Sequence, residues 1–256
     1  MSFDTRAMAQ ILGEMMRAGD VQSLRHDVVR GLALLGISRG YFIAPLSRDH
    51  RVGRSLTNIG LPAEWELQYR TRLYRSDPLP TLSLDFSNAF FWPDEVPFEK
   101  MTNEQQAYMQ IASEFGLGRG IGTACYGPHG RAGFLGAACD SNVPEDDVTK
   151  LAVHQIGQVS FQRYCQLNLE EIEIPTLSNR EQSVLNLMCR GRTNPEMADM
   201  IGVSRSSIDS YIRRIFAKLQ VSDRTAACVR AQSLGLVVTE EVERLVREAR
   251  KRDEEM

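Results

Sequence analysis

The sequence predicts an α+β protein, with an N-terminal α/β/α sandwich built on an antiparallel sheet and a C-terminal domain of four short helices. Segments with helical and with strand periodicity alternate through residues 1–173. A Gly-Pro-His-Gly turn at 127–130 joins two apolar runs, which is typical of an antiparallel hairpin. Four helical segments separated by short turns then follow one another within residues 174–237.

The first elements are two helices and a strand. Apolar residues at helical spacing predict helices over residues 4–18 and 20–35, and Asp20 is a suitable N-cap for the second. A strand at 41–45 follows glycines that interrupt the helical pattern. The chain therefore opens with helices, unlike a phosphoreceiver domain, which would open with a strand ending in paired acids.

The middle of this region predicts two more helices. Pro62 suits the first turn of one of them. The Asp77-Pro78 step ends it, because a residue before proline is pushed towards extended conformations. Thr102 and Gln105 have the spacing of a capping box and predict the start of the other.

The last elements of the first domain are a hairpin and a long helix. The hairpin strands cover residues 119–126 and 132–139. The helix covers residues 144–169, and its apolar stripe comprises Val148, Leu151, Ala152, Ile156, Val159 and Tyr164. Helices that flank the strands along the chain predict a central antiparallel sheet with helices on its faces.

Composition excludes several classes of protein. With 43% hydrophobic and 25% charged residues, the chain of 256 residues is not collagen-like, low-complexity or wholly disordered. No apolar run approaches the roughly 18 residues that cross a bilayer, and the N-terminus lacks a secretory pattern, so we expect a cytoplasmic protein without a membrane partner. Five widely spaced cysteines and four scattered histidines predict no disulfide framework, no metal site and no cofactor.

A domain boundary is predicted near residue 174. The acidic stretch at 170–176 contains a proline and precedes a new helix start. The segment that follows has nine basic and five acidic residues, although the whole chain has a net charge of −3. The predicted domains are residues 1–173, a basic domain at 174–237 and a charged, helical extension at 238–256.

The four C-terminal helices have recognisable start signals. Ser178 begins a capping box for the first, and Asn194 and Ser222 are predicted to cap the second and the fourth. The turn Gly202-Val203-Ser204 separates the short second helix from a longer, basic third helix over residues 205–219. A short helix, a glycine-containing turn and a longer helix are typical of a helix-turn-helix motif.

Polar and basic side chains occupy the predicted outward face of the third helix. Such a helix fits the DNA major groove, where its first residues reach base edges and its later arginines meet phosphates. A solvated basic face is the alternative that periodicity alone leaves open. With the start of the second helix included, the predicted DNA contacts are Thr193, Asn194, Arg205, Ser206, Ser207, Asp209, Ser210, Arg213, Arg214 and Lys218.

The C-terminal segment resembles the LuxR-type helix-turn-helix domain. The resemblance lies in Leu177–Glu181, Gly191–Ala198, Val203–Ser204, Ser207–Ile208, Ile215–Leu219, Arg224–Ala227 and Gly235–Leu236. It implies double-stranded DNA and RNA polymerase as partners, and a homodimer on a palindromic site. Tyr211, where the family often has histidine, and the acidic Asp209 depart from the family pattern and are expected to alter site preference.

The first domain contains residues suited to a buried ligand site. Trp65 and Tyr69 lie one helical turn apart, which places an indole N–H and a phenol on one face. Asp77 supplies a carboxylate that can accept a hydrogen bond from an amide N–H. Gly120 and Gly122 alternate along a strand and leave one sheet face bare, for a ligand or for close helix packing. Core aromatic residues and a turn aspartate are the alternative interpretation.

Residues 15–170 resemble the autoinducer-binding domain of quorum-sensing LuxR-type regulators. The resemblance is carried by Trp65, Tyr69, Asp77, Pro78, Trp92 and Gly120. It implies a sandwich that binds an N-acyl homoserine lactone as its effector. Trp65 would donate to the lactone carbonyl, and Asp77 would accept from the amide N–H. Tyr69 and Trp92 would pack around this ligand, and Gly120 would shape the pocket wall.

Three positions depart from the family pattern in a way that bears on the acyl group. Leu61 replaces a tyrosine that hydrogen-bonds the acyl carbonyl in many members. Gly122 and Gly136 stand where some members have larger or hydroxyl side chains. We therefore expect a roomier and less polar pocket, suited to a long, branched or aryl acyl group.

The function predicted from these patterns is ligand-responsive transcription control by a homodimer, paired through the long helix at 144–170. The alternative is a regulator that needs no ligand or answers to something other than a lactone. An enzyme is not expected, because the sequence has no GxSxG nucleophile elbow and no cluster of metal ligands.

Overall fold

The computed structural model describes residues 4–44, 55–168 and 175–237. The chain divides into two compact units, Met1–Leu169 and Glu170–Met256. The predicted boundary near residue 174 and the predicted extension at 238–256 lie outside the described residues. In the part of the chain that is described, no helix is long and apolar enough to cross a membrane.

The first unit interleaves helices and strands. Its helices are α1 (Thr5–Arg17), α2 (Val21–Leu34), α3 (Ala63–Thr71), α4 (Leu79–Leu82), α5 (Asn103–Glu114) and α6 (Asp147–Asn168). Its strands are β1 (Gly40–Ala44), β2 (Ser55–Ile59), β3 (Phe90–Trp92), β4 (Gly120–Tyr126) and β5 (Ala132–Ala138). Short 3₁₀ segments lie at Leu73–Arg75, Ser83–Asp85, Phe98–Lys100 and Pro128–Gly130.

Side-chain caps fix where these helices begin. Asp20 accepts a hydrogen bond from the backbone N–H of Ser23 at 2.7 Å and closes the first turn of α2. Thr102 and Gln105 form the predicted capping box of α5, in which each side chain bonds the backbone N–H of the other residue. Each cap supplies an acceptor that the first turn lacks, and both predicted caps are confirmed.

The five strands form one sheet in the order β2-β1-β5-β4-β3, with every neighbouring pair antiparallel. The predicted hairpin is β4 and β5, with Gly122 opposite Gly136. Strands β2 and β3, of five and three residues, were not predicted.

Each face of the sheet packs against its own layer of helices. On one face, Ile121 and Leu135 lie in a core cluster with residues of α1, α2 and α6. On the other face, Tyr41 and Phe134 lie in a second cluster with residues of α3, α4 and α5. Alternation along the strands separates the two clusters. The α+β class and the α/β/α sandwich are therefore confirmed.

Helix α6 buries only part of the predicted stripe. Ala152 and Ile156 are buried as predicted, together with Val153. The helix begins at Asp147, later than expected, and Val148 and Leu151 are exposed by 47% and 60%. The prediction was wrong in the first turns, where apolar residues at helical spacing are exposed.

The second unit consists of four helices around a core of its own. They are α7 (Asn179–Cys189), α8 (Asn194–Ile201), α9 (Arg205–Leu219) and α10 (Arg224–Ser233). Fully buried residues from all four helices, among them Leu185, Met197, Ile208 and Ala227, form this core. The prediction of four short helices is confirmed.

Two of the predicted caps in this unit are displaced by one residue. Helix α8 is capped by Thr193, whose backbone N–H and hydroxyl donate to Glu196 at 2.7 and 2.8 Å, rather than by Asn194. Helix α10 is capped by Asp223 rather than by Ser222, because the Asp223 carboxylate accepts a backbone N–H of the first turn at 2.8 Å. In both places two adjacent residues can cap a helix, and only the backbone conformation selects one of them.

Candidate functional site

Asp77 is a buried carboxylate that bonds residues of the second core cluster of the first unit, and 6% of the residue is exposed. Its Oδ2 accepts hydrogen bonds from the hydroxyls of Tyr69, at 2.8 Å, and Tyr41, at 3.2 Å. Its Oδ1 accepts from the backbone N–H of Leu79 at 3.0 Å. Pro78, also buried, caps α4 and lies between these two residues. The three donors compensate for the hydration that the buried carboxylate loses.

Two hydrogen-bond donors in the same core cluster have no partner. Among the described residues, the indole Nε1 of Trp65 and the hydroxyl of Tyr108 are buried and make no hydrogen bond. Trp65 is fully buried, and Tyr108 is 1% exposed. A buried polar group without a partner costs about 1–3 kcal/mol. A ligand that supplied acceptors to these two unpaired donors would remove that cost.

Aromatic rings connect these polar groups. The rings of Trp65 and Tyr69 stack with their centroids 4.8 Å apart, as their one-turn spacing on α3 favours. The ring of Tyr41, on β1, lies 5.1 Å from Trp65 and 5.6 Å from Tyr69. The ring of Tyr108, on α5, meets Tyr69 edge-on at 6.5 Å. The structure thus brings together Trp65, Tyr69 and Asp77, the three residues that the sequence predicts to form a buried ligand site.

Tyr41 and Tyr108 were not among the predicted site residues. Tyr41 reaches the site because β1 pairs with β5, which places it opposite Gly136. Tyr108 reaches it because α5 packs over the same face of the sheet. In the sequence each is an aromatic residue in an ordinary strand or helix, and only the tertiary packing brings either one to Asp77.

Trp92 and Leu61 supply apolar surface to this cluster. The Nε1 of Trp92 donates to the carbonyl oxygen of Leu117 at 2.8 Å, so its polar atom is bonded within the protein. The buried ring lies against Gly120 so closely that a Cβ atom there would overlap it. Leu61 is 5% exposed and belongs to the same cluster.

Aromatic rings also cover the other two glycines of this face. A Cβ atom on Gly122 would lie 2.7 Å from Cζ of Phe134. A Cβ atom on Gly136 would lie 2.8 Å from Cε1 of Phe134 and 2.9 Å from Cε1 of Tyr41. Only glycine lets these rings lie against the sheet. The expectation that Gly122 and Gly136 leave a roomier pocket is therefore corrected, because ring atoms occupy that space.

Helices α8 and α9 form the predicted helix-turn-helix. Gly202 adopts a left-handed conformation, with φ at 73°, and ends α8. Ser204 caps α9 by accepting from the backbone N–H of Ser207 at 3.2 Å. Ile208 and Ile215 are fully buried, which leaves the opposite side of α9 facing outward.

The outward side of α9 carries most of the predicted DNA contacts. At 100° per residue, Ser206, Ser210 and Arg213 share one face. The guanidinium of Arg213 donates to the Ser210 hydroxyl at 3.4 Å, and that of Arg214 lies 5.7 Å from the centroid of the Tyr211 ring. The exposed predicted contacts on α9 are Arg205, Ser206, Asp209, Arg213, Arg214 and Lys218, and Ser207 and Ser210 are half-buried.

Two predicted DNA contacts at the start of α8 bond within the unit. Asn194 Nδ2 donates to Oδ1 of Asp209 at 2.8 Å and links α8 to α9. Thr193 is the cap of α8 and bonds Glu196. The acidic Asp209 on the predicted DNA face is thus hydrogen-bonded to a neighbouring helix.

Lys218 has a structural role in addition to its predicted contact with DNA. Its Nζ donates to Oε2 of Glu181 at 2.7 Å and to the carbonyl oxygen of Thr176 at 3.0 Å. Glu181 is 3% exposed and also accepts from the backbone N–H of Ser178 at 2.7 Å, completing the predicted capping box. The Lys218 ammonium and the Ser178 N–H lower the pKa of Glu181 to about 2. Lys218 therefore ties α9 to α7.

The five cysteines are free thiols in this structure. Cys125, Cys139 and Cys165 are buried, and Cys189 and Cys228 are half-buried. Burial raises the pKa of Cys139 to about 12, so this thiol is protonated near neutral pH. Within residues 4–44, 55–168 and 175–237, no group of three or more His, Cys, Asp or Glu side chains could hold a metal ion.

Two family models match the chain, one over each unit. The model of the autoinducer binding domain matches residues 20–164, which contain Trp65, Asp77 and Tyr108. The model of bacterial regulatory proteins, luxR family, matches residues 175–231, which contain α8 and α9.

Known proteins and structures are similar to this chain at low identity. It is 28% identical over 149 residues to the putative HTH-type transcriptional regulator y4qH of Sinorhizobium fredii, a match that covers 57% of this chain and only 45% of y4qH. It is 22% identical over 182 residues to the regulatory protein SdiA of Escherichia coli K12, covering 69% of this chain and 74% of SdiA. A crystal structure of E. coli SdiA, 20% identical, matches 91% of this chain and 98% of that one with a TM-score of 0.66. SdiA in complex with octanoyl-rac-glycerol, 18% identical, matches 91% of this chain and 96% of that one with a TM-score of 0.65.

Proposed function

Because the chain belongs to the LuxR family of bacterial regulatory proteins, with an autoinducer-binding domain followed by a DNA-binding domain, we propose that it is a quorum-sensing transcription factor. Its effector is an N-acyl homoserine lactone, and it binds a palindromic promoter site as a homodimer. Its place of action is the cytoplasm, where a diffusible effector and DNA are both present. The family is one of transcriptional regulators, and an enzymatic activity forms no part of the proposal.

The unpaired N–H of Trp65 beside the buried carboxylate of Asp77 is the observation that carries this proposal. A homoserine lactone has a ring carbonyl that accepts a hydrogen bond and an amide N–H that donates one. Trp65 would bind the ring carbonyl, and Asp77 would accept from the amide N–H. Pockets for small molecules commonly combine apolar walls with a few such polar groups. Tyr69 and Trp92 would pack on the ligand.

The acyl group of this lactone is long, branched or aryl in our proposal. Leu61, Trp92 and Phe134 line the site with apolar and aromatic surface, which suits a large apolar group. Rings already cover Gly122 and Gly136, so the preference rests on the chemistry of the lining rather than on open space. A ligand in this position would displace some of these rings.

Ligand binding would control the regulator through stability and assembly. A ligand that binds the folded first unit stabilises it by mass action. Val148 and Leu151 on α6 are exposed apolar residues, which supports pairing of two copies through this helix. Two helix-turn-helix motifs would then contact half-sites about one helical turn of DNA apart, next to RNA polymerase.

Thermal melting with a panel of lactones tests the ligand part of this proposal. A lactone at 100 times its dissociation constant should add about 2.7 kcal/mol to the free energy of unfolding, which is a clear shift in Tm. We expect the largest shift with a bulky or aryl acyl group and the smallest with butanoyl. A well-folded protein that shifts with no lactone would instead support a regulator that is independent of lactones.

Arg213→Ala is expected to weaken binding to the operator and to lower the slope of log Kd against log salt concentration by about one, because its guanidinium would meet a phosphate. Fluorescence anisotropy with labelled operator DNA at several salt concentrations measures this change. Arg230→Ala on α10 is the matched control, since it removes the same charge outside the predicted DNA surface. Equal losses for the two variants would mean that α9 contributes only general charge.

A further inference from the structure

We propose that Tyr108 contacts the bound lactone directly and that its hydroxyl donates a hydrogen bond to the acyl carbonyl of that ligand. This contact presupposes the proposed function and adds a residue to it. Tyr108 would provide the donor that Leu61 lacks, from α5 instead of the segment that precedes α3.

The hydroxyl of Tyr108 is a buried donor without an acceptor among the described residues. The residue is 1% exposed, and no described residue accepts a hydrogen bond from its oxygen. Buried hydroxyls in folded proteins nearly always have a partner, and the exceptions call for an explanation. A phenylalanine would fill the same volume without this unpaired oxygen. The hydroxyl therefore indicates a partner that arrives from outside the chain.

The surroundings of Tyr108 keep its hydroxyl in the donor form. Burial raises the pKa of Tyr108 well above its ordinary value, and the nearby negative charge of Asp77 and the neighbouring side chains of Tyr41 and Tyr69 raise it further. Asp77 is already bonded by Tyr69, Tyr41 and the N–H of Leu79. A further acceptor close to Asp77 would give the Tyr108 hydroxyl the hydrogen-bond partner that it lacks.

The polar groups of the site match an N-acyl homoserine lactone group by group. The site has two unpaired donors, the N–H of Trp65 and the O–H of Tyr108, and one buried carboxylate, Asp77. The ligand has two carbonyl acceptors, one on the ring and one on the acyl group, and a single amide N–H donor. With the ring carbonyl bound to Trp65 and the N–H to Asp77, the acyl carbonyl is the acceptor left for Tyr108.

Leu61 explains why this donor has to come from α5. Leu61 is 5% exposed in the same cluster and has no polar side-chain atom to offer. The donor is thus supplied from α5 while Leu61 keeps the core filled. A double variant that moves the hydroxyl back to position 61 tests this directly.

The test combines affinity with an infrared measurement on the full-length protein. The probes are N-octanoyl and N-cinnamoyl homoserine lactone, each labelled with carbon-13 at the acyl carbonyl. Tyr108→Phe is expected to raise the Kd of the lactone that binds by about tenfold. It should also shift the labelled carbonyl band to higher frequency, because the carbonyl loses a hydrogen bond. Tyr126→Phe, a control at a 49% exposed tyrosine, should change neither.

Leu61→Tyr combined with Tyr108→Phe is expected to recover part of the affinity and to return the band towards its wild-type frequency. A raised Kd with an unshifted band in Tyr108→Phe would show that Tyr108 only packs in the core, and would overturn the contact. An unchanged Kd and band would overturn it as well. If the wild-type protein binds neither lactone, the proposed function itself fails, and this inference falls with it.

Discussion

Asp77→Asn is expected to remove about half of the stabilisation that a lactone confers. The amide keeps the size of the side chain and one acceptor oxygen, but it lacks the negative charge that strengthens the bond from the ligand N–H. A hydrogen bond to a charged group contributes about 1.5–3 kcal/mol and one between neutral groups about 0.5–1.5 kcal/mol, so the Kd should rise by about 5- to 15-fold. At a lactone concentration of 100 times the wild-type Kd, the added stability should fall from about 2.7 to about 1.4 kcal/mol.

Asp77→Ala should have a second effect, on the unliganded protein. The hydroxyls of Tyr69 and Tyr41 and the N–H of Leu79 all bond this carboxylate, and all three would lose their acceptor inside the core. We expect the free energy of unfolding to fall by about 3 kcal/mol. The alanine variant therefore tests the core network, and the asparagine variant tests the ligand contact.

Thermal melting of both variants with and without lactone measures these effects. Asp85→Asn, an exposed aspartate in the 3₁₀ segment after α4, is the control and should respond to the lactone like the wild type. A full lactone-induced shift in Asp77→Asn would contradict the assignment of Asp77 to the ligand amide.

Glu181→Ala is expected to destabilise the second unit by about 2–3 kcal/mol. Removing one partner of a buried ion pair costs about 3–5 kcal/mol, and the lower value is appropriate because the Lys218 side chain is 37% exposed and regains water. The variant also loses the acceptor for the Ser178 N–H at the start of α7. Operator binding should weaken at temperatures near the lowered Tm, because the pair of Glu181 and Lys218 holds α9 against α7.

The same pair gives the second unit a pH dependence of known sign. The pKa of Glu181 is lowered from 4.5 to about 2, first by the hydrogen bond from Lys218. A group whose pKa is lower in the folded state stabilises the fold above its unfolded pKa. This stabilisation should therefore be complete above about pH 4.5 and be lost as the pH falls towards 2. Glu181→Ala should show a weaker dependence over that range.

The two units can be followed separately in one denaturation experiment. Both tryptophans of the chain, Trp65 and Trp92, lie in the first unit, so their fluorescence reports on that unit alone. Far-ultraviolet circular dichroism detects the helices of both. Glu181→Ala should move the dichroism transition of the second unit and leave the fluorescence transition in place. A shift of both transitions would mean that Glu181 stabilises more than the second unit.

Local signals in the sequence predicted the helices well. Asp20, Thr102 and Ser178 cap helices as their spacing indicated, because a cap depends on three or four consecutive residues. Asn194 and Ser222 failed as caps because each has a neighbour of equal capping ability. Errors of this kind move a helix start by one residue and leave the fold unchanged.

The parts of the site that depend on long-range packing could not be predicted from the sequence. Trp65 and Tyr69 share a helix turn, so their stacking could be foreseen. Tyr41 joins them only through the register of β1 on β5, and Tyr108 only through the position of α5. For Lys218, periodicity predicted the outward face, but its bond to Glu181 on another helix could not be foreseen.

Rings resting on bare backbone divide the site into positions that only glycine fits and positions whose side chains can vary. At Gly120, Gly122 and Gly136 even a methyl group would collide with a ring, so these positions tolerate almost no substitution while the rings remain. Phe134 has no polar side-chain atom to satisfy, so a smaller side chain there would open space above an intact sheet, whereas the ring of Tyr41 also carries the hydroxyl that bonds Asp77. New effector specificities in this protein are therefore most accessible through its rings, and a mutant library for altered response belongs there.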